Sequence, residues 1–205
     1  MKTVLIIDYD MGNIDSISRA IEECGGNPII SNKHTDFKNA SLLILPGVGS
    51  FAKAMQNIHN YGLKDLIRDY VLNKKVPILG ICLGMQILAT KGYEGGETKG
   101  LDLIKGEVKL LEPNSPMIRI PHIGWNEVIF NKSSPLFTNM NSGRDFYFVH
   151  SYSFICERNE DILAYTPYCG KFISAVGNGN VFGVQFHPEK SQRAGFELLR
   201  NFLTL

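Results

Sequence analysis

Val76-Pro-Ile-Leu-Gly-Ile-Cys-Leu-Gly-Met-Gln-Ile-Leu-Ala89 runs from an apolar, β-branched stretch, Val76 to Ile81, straight into good helix formers, Leu83 to Ala89. Cys82 falls at the junction, with Gly80 and Gly84 on either side. The pattern predicts a buried strand, a sharp turn and a helix, the layout of a nucleophile elbow. Such a turn crowds the backbone, and small neighbours relieve the crowding. At a helix N-terminus the sulfur would face unpaired backbone N–H groups and the positive end of the helix dipole, which favours thiolate over thiol. The Leu83 N–H would point at any oxyanion formed on an attacked carbonyl. The same residues are also compatible with a buried core cysteine that has two glycines beside it.

Upstream of this stretch, strand and helix patterns alternate. Val4 to Asp8 reads as a buried strand, Gly12-Asn13 as a turn, and Ile14 to Cys24 as a helix with Ile14, Ile17, Ile21 and Cys24 on one face. Further strands are expected at Asn27 to Ser31 and Leu42 to Leu45, and helices at Phe51 to Ile58 and Leu63 to Leu72. Alternation of this kind implies a parallel sheet covered on both faces. The later half reads as strands joined by short loops: Glu107 to Leu111, Asn126 to Phe130, Phe146 to His150, Ile162 to Tyr165, Ile173 to Val176 and Val181 to Phe186. These predict antiparallel additions. A closing helix spans Gly195 to Leu203, with Phe196, Leu199 and Phe202 as a core stripe. Gly92 to Gly100 holds four glycines without a phosphate-loop ending and is expected to be a mobile surface loop. The fold expected is α/β and three-layered: a mostly parallel central sheet, helices on both faces, and antiparallel additions.

A chain of 205 residues fits one domain over residues 1–205, with no repeats or linkers. Hydrophobic content of 44%, charged content of 20% and a net charge of +1 leave no electrostatic footprint for nucleic acid. Cys24, Cys82, Cys156 and Cys169 are too scattered for a zinc site or a disulfide framework, so a reducing cytoplasm is expected, with no metal and no cofactor. Asp8 and Asp10 interrupt the first apolar run, and no segment approaches the roughly 18 apolar residues a membrane span requires.

A catalytic cysteine needs a base. Of the five histidines, His34 and His59 lie in polar surroundings and are expected at the surface. His187 ends the apolar run Val181 to Phe186 and is followed by Pro188 and Glu189. If the chain stays extended, residues two apart share a face, so His187 and Glu189 would project together at the C-terminal edge of the sheet. Glutamate beside imidazole fixes its tautomer and stabilises its charged form. A surface His-Pro-Glu turn is the other reading of these residues.

Gly80-Ile-Cys-Leu-Gly-Met-Gln86 together with Gly183-Val-Gln-Phe-His-Pro-Glu189 resembles the class I glutamine amidotransferases, which are flavodoxin-like in fold and carry a cysteine, histidine and glutamate triad. Ile7-Asp-Tyr9, Met11-Gly-Asn13, Pro46-Gly-Val-Gly-Ser-Phe51, Pro121-His-Ile-Gly-Trp-Asn126, Tyr147-Phe-Val-His-Ser-Tyr152 and Pro188-Glu-Lys-Ser191 look like the glutaminase subunits of imidazole glycerol phosphate synthase. The resemblance runs in order from about residue 4 to residue 203. It implies Cys82 as nucleophile, His187 as acid and base, and Glu189 as its orienter, acting on L-glutamine. It further implies oxyanion donors at Val48 and Leu83, and a substrate pocket with Gly49, Gln86, His150 and Ser151. A cyclase (β/α)8-barrel partner would form a heterodimer through a face holding Asn13, Trp125 and Lys190, and would receive the ammonia for histidine biosynthesis. From the residues alone, His150 also reads as a satisfied strand histidine and Trp125 as a core residue. Asp10 stands where a glycine is usual, Arg119 where a lysine is usual, and Ala89 to Glu97 lacks a usual serine-glutamate pair. These departures leave open a paralogue that feeds ammonia to a surface-sugar amidotransferase complex.

Overall fold

The computed structural model describes residues 1–205. The first half alternates β1 (Thr3–Ile7), α1 (Ile14–Glu23), β2 (Asn27–Ser31), α2 (His34–Phe37), β3 (Leu42–Leu45), α3 (Phe51–Asn60) and α4 (Leu63–Arg68). A wider π turn, Asp69–Asn73, continues α4 and leads to β4 (Ile78–Ile81) and α5 (Leu83–Gln86). Then come β5 (Lys91–Gly92), β6 (Thr98–Lys99), β7 (Gly106–Leu110), β8 (His122–Phe130), β9 (Arg144–His150) and β10 (Tyr152–Cys156). The chain closes with β11 (Ile162–Thr166), β12 (Phe172–Asn178), β13 (Val181–Val184) and α6 (Gln192–Leu203).

The sheet order is β2-β1-β3-β4-β13-β12-β10-β7-β5-β6. β2, β1, β3, β4 and β13 are mutually parallel neighbours, and β12, β10 and β7 extend the sheet in antiparallel fashion. β11 pairs with both β12 and β8, and β8 pairs with β9 from His122↔His150 to Val128↔Arg144. The central strands β3, β4 and β13 are buried throughout, which is why they read as unbroken apolar runs rather than alternating ones. Alternate residues feed two cores. Leu5, Leu43 and Ile78 join α3 and α4 on one face, whereas Val4, Ile44 and Leu79 join α1 and α6 on the other.

The α/β architecture expected from the sequence is the one observed, with four differences of detail. The helix after Cys82 ends at Gln86 rather than Ala89, because the Leu88 and Ala89 N–H groups turn back three residues and the carbonyls beyond take N–H groups from Leu101 to Ile104. Gly92 to Gly100 is not an open loop: it holds the β5–β6 hairpin, pairing Lys91↔Lys99 and Gly92↔Thr98, and Glu94 Oε2 accepts from the Phe51 N–H at 2.8 Å. Tyr152–Cys156 is a strand that the sequence reading passed over, since only Ser151 separates it from β9 and no turn signal marks the break. Finally, Pro188–Lys190 is a 3₁₀ turn rather than extended chain, with proline supplying the fixed φ at its start. No helix is long and apolar enough to cross a membrane.

Candidate active site

β4 delivers Cys82 to the C-terminal edge of the parallel sheet. Its backbone lies at φ 55°, ψ −112°, a conformation non-glycine residues rarely adopt and one that costs about 1–3 kcal/mol. The Cys82 N–H donates to the Val184 carbonyl at 2.8 Å, which pins the turn to β13. A Cβ on Gly84 would stand 1.8 Å from the Leu45 carbonyl oxygen, and one on Gly80 would stand 2.6 Å from the Gly84 carbonyl oxygen. Both glycines are therefore demanded by the close approach of β3, β4 and α5.

His187 follows β13, and its position is held from three sides. Its N–H donates to the Tyr147 carbonyl at 2.9 Å, and Ser191 Oγ donates to the His187 carbonyl at 2.6 Å while accepting from the Tyr147 N–H at 3.0 Å. The 3₁₀ turn swings Glu189 back so that Oε1 meets His187 Nδ1 at 2.8 Å, with both side chains almost fully buried. The two residues meet as expected, but through a turn rather than a shared strand face. His187 Nε2 is buried without a hydrogen-bond partner and looks into the cavity that Cys82 also lines. Burial alone would depress the His187 pKa, but interaction with Cys82 and with the Glu189 carboxylate outweighs it and raises the imidazole to about 10.

The cavity measures about 330 Å³ and is lined by Val48, Gly49, Cys82, Leu83, Gln86, Glu94, Pro121, Val149, His150, Ser151, Tyr152 and His187. Every residue expected of the oxyanion donors and the substrate pocket is among them. Tyr9, fully buried, donates its hydroxyl to the Pro46 carbonyl and so holds the loop that carries Val48 and Gly49. Burial drives the Tyr9 pKa far upward, which keeps that hydroxyl a donor. Gly49 has φ +102°, a backbone setting that suits glycine.

Behind the pocket a chain of hydrogen bonds leads away from His150. The Tyr152 carbonyl can only accept, so His150 Nδ1, at 2.8 Å, carries the proton. His150 Nε2 then accepts from His122 Nδ1 at 3.1 Å, and His122 Nε2 accepts from Asn126 Nδ2 at 3.3 Å. Both rings are neutral in this arrangement, in keeping with burial, which pushes His150 down to about 3 and His122 to about 4. Both ring nitrogens of His150 are thereby committed, so it shapes the wall of the pocket.

The outer face of the β8–β9 ribbon has a different character. Ile123 pairs with Val149 and Trp125 with Tyr147, and Ile123, Trp125 and Val149 are 60%, 48% and 36% exposed. Lys190 Nζ sits 5.9 Å from the Tyr147 ring centroid. Asn13, just before α1, is partly exposed. His34 and His59 are exposed, as expected. Asp10, one of the departures, has φ 62° and accepts a hydrogen bond from the Tyr61 hydroxyl at the surface.

Sequence reading missed Tyr9, Glu94, Tyr152 and Gln185 at this site. Gln185 alone had a local signal, a lone amide inside the apolar run Val181 to Phe186. Tyr152 directly follows the expected Ser151, and Tyr9 and Glu94 arrive from distant parts of the chain.

The family model described as glutamine amidotransferase class-I matches residues 5–205. The chain is 44% identical to "Imidazole glycerol phosphate synthase subunit HisH 1" of Campylobacter jejuni, with 98% of this chain and 100% of that protein covered. It is 45% identical to "Imidazole glycerol phosphate synthase subunit HisH" of Moorella thermoacetica, covering 98% and 94%. A protein of the same name from Aquifex aeolicus is also 45% identical, over 98% and 96%. Among solved structures, a glutamine amidotransferase superimposes with a TM-score of 0.76 at 19% identity, covering 98% of this chain and 97% of that one. PurLQS from Thermotoga maritima gives 0.75 at 21% identity, covering 100% and 99%. These two speak for the fold. The family model and the full-length relatives speak for kinship: the chain belongs to the class I glutamine amidotransferases.

Proposed function

We propose that this chain, as one domain over residues 1–205, is the glutaminase subunit of imidazole glycerol phosphate synthase, hydrolysing L-glutamine in the cytoplasm and passing ammonia to a cyclase partner in histidine biosynthesis. The observation that carries the reading is the strained Cys82 sharing a cavity with a buried His187 whose Nδ1 is bonded to Glu189. Cys82 Sγ attacks the side-chain amide carbon, and the carbonyl π electrons move onto oxygen. The Leu83 N–H, first in its helix and free of an intrahelical acceptor, and the Val48 N–H receive that oxyanion. His187 gives its proton to the departing nitrogen, so ammonia leaves and a thioester remains. His187 then takes a proton from water, hydroxide adds to the thioester, and glutamate departs as the thiolate reforms. Glu189 holds the imidazole in register and supports its charged form. Glu94 is the one carboxylate lining the cavity, which suits an α-ammonium group, while Gly49, Gln86, His150 and Ser151 shape the rest of the pocket.

Ammonia released into water would mostly be protonated and lost as a nucleophile, so the mouth of the cavity has to be covered. Val149 belongs both to the cavity lining and to the exposed apolar face with Ile123 and Trp125. A cyclase (β/α)8-barrel docked on that face, with Asn13, Trp125 and Lys190 at the contact, would form a heterodimer that receives ammonia directly. Cys82→Ala is expected to abolish glutamine-dependent synthesis by the complex while ammonia-dependent synthesis survives. Persistent glutamine turnover in that variant would refute the mechanism. Failure to rescue a histidine auxotroph lacking its own glutaminase subunit would refute the pathway and favour a sugar-directed acceptor.

A further inference from the structure

Gln185 lies directly after β13 and is completely buried, with its backbone N–H bonded to the Ser174 carbonyl at 2.9 Å. Its Nε2 stands 3.6 Å from Cys82 Sγ. An amide can present either nitrogen or oxygen to a neighbour, and here the choice is dictated two residues away. The Tyr152 carbonyl accepts only, so the Gln86 atom 3.0 Å from it is Nε2. The same Nε2 lies 3.0 Å from the Gln185 amide, which must therefore meet it with Oε1. That leaves the Gln185 N–H on the cysteine side. One backbone carbonyl thus orients two side-chain amides in series, and the series ends in a donor aimed at the sulfur.

A second polar contact to this sulfur works in the opposite sense. The Val149 carbonyl oxygen, 3.8 Å away, accepts from the thiol form and opposes the thiolate. The titratable groups around the sulfur are His187, backed by Glu189, together with Tyr9 from the end of β1, Glu94 from the β5–β6 hairpin and His150 from β9. Of these, His187 can donate to the sulfur only while it carries a proton on Nε2, whereas the Gln185 amide donates at every pH.

We propose that Gln185 is a further catalytic residue, whose N–H, oriented by Gln86 and the Tyr152 carbonyl, donates to Cys82 Sγ and holds it as the thiolate before attack. The inference rests on Cys82 being the nucleophile. It also gives Gln86 a second role, because with its nitrogen committed to Tyr152 and Gln185 it has Oε1 left for the substrate.

The test is the pH titration of the Cys82 thiolate, followed by ultraviolet absorbance near 240 nm against a matching Cys82→Ser background. The rate of Cys82 alkylation by iodoacetamide, read by peptide mass mapping, gives an independent measure. Gln185→Leu removes the donor, and the thiolate midpoint is expected to rise by about one pH unit, a tenfold loss of thiolate below it. Gln86→Glu never touches the sulfur, yet an acid there cannot donate to both Tyr152 and Gln185. Ionised, the new carboxylate only accepts, so Gln185 turns its nitrogen towards it and its oxygen towards Cys82, and the midpoint should rise as well. A folded Gln185→Leu protein with an unchanged midpoint would overturn the proposal, and so would an unchanged midpoint in folded Gln86→Glu should the first variant not fold. A separate control concerns the parent reading: if complete alkylation of Cys82 in the unsubstituted protein left glutamine hydrolysis intact, Cys82 would not be the nucleophile, whatever the midpoints do.

Discussion

Two walls of the same cavity hold buried histidines in opposite states. On the elbow side His187 is raised to about 10, while on the β8–β9 side His150, and His122 behind it, are lowered to about 3 and 4. Exposure does not separate them, since His187, His150 and His122 are 2%, 6% and 3% exposed. The partners do. Burial penalises the charged imidazole in all three, but His187 faces Cys82 and the Glu189 carboxylate, whereas His150 and His122 face each other, a backbone carbonyl and an amide. One wall holds an imidazole that keeps its charge; the other holds imidazoles that stay neutral.

Removing the carboxylate is the hardest blow to this contrast. Glu189→Gln keeps the shape of the side chain but deletes the charge bonded to His187 Nδ1. The imidazole pKa should fall, and glutamine turnover should drop by about 10²–10⁴-fold, the usual range for a disabled general acid and base. Titrating His187 by NMR in Cys82→Ala and in the double variant isolates the carboxylate's share. A His187 that titrated alike in both would show that Glu189 does not set the charge state of its wall.

How far this site could be read from the sequence differs between its walls, for a physical reason. The elbow wall is made by local chain: Cys82 sits between Gly80 and Gly84, and His187 and Glu189 are two residues apart, so motif spacing carries most of the geometry. The 3₁₀ turn that replaces the expected extended His-Pro-Glu segment returns Glu189 to the same imidazole. The neutral wall is made by pairing between distant strands. That His122 lies opposite His150 depends on the register of β8 against β9, and no local pattern encodes it. Likewise β2 and β3 are bounded as isolated runs, whereas β10 carries no such boundary because β9 passes into it with a single residue between.

The neutral ribbon also has an outer face, and the docking proposal predicts an effect there of intermediate size. Trp125→Ala removes the largest exposed apolar side chain of the Ile123, Trp125 and Val149 patch. Affinity for the cyclase partner should weaken about 30-fold, near 2 kcal/mol, as for a central aromatic anchor. Isothermal titration of the two subunits reads this directly. An unchanged Kd would move the interface elsewhere and would detach the neutral wall from partner binding.

The smallest effect sharpens the contrast most, because the two walls should fail at opposite ends of the pH scale. An unfolded histidine titrates at about 6.5, so His150 and His122 bind protons in the unfolded chain well before they do so in the fold. The unfolded state therefore gains stability as pH falls from about 6.5 towards about 4, and the fold loses it. His187 has the reverse sign. Its raised pKa contributes stability that is complete below about 6.5 and disappears as pH rises through about 10. His122→Gln deletes one neutral-wall proton site while retaining an amide that can donate towards His150. Between pH 7.5 and pH 5.0 the urea midpoint of this variant should fall less than that of the unsubstituted protein, whereas from pH 8 to pH 10 the two should fall in parallel. Equal acid sensitivity would mean that His122 is not held neutral, and the division of the cavity into a charged and an uncharged wall would fail at that residue.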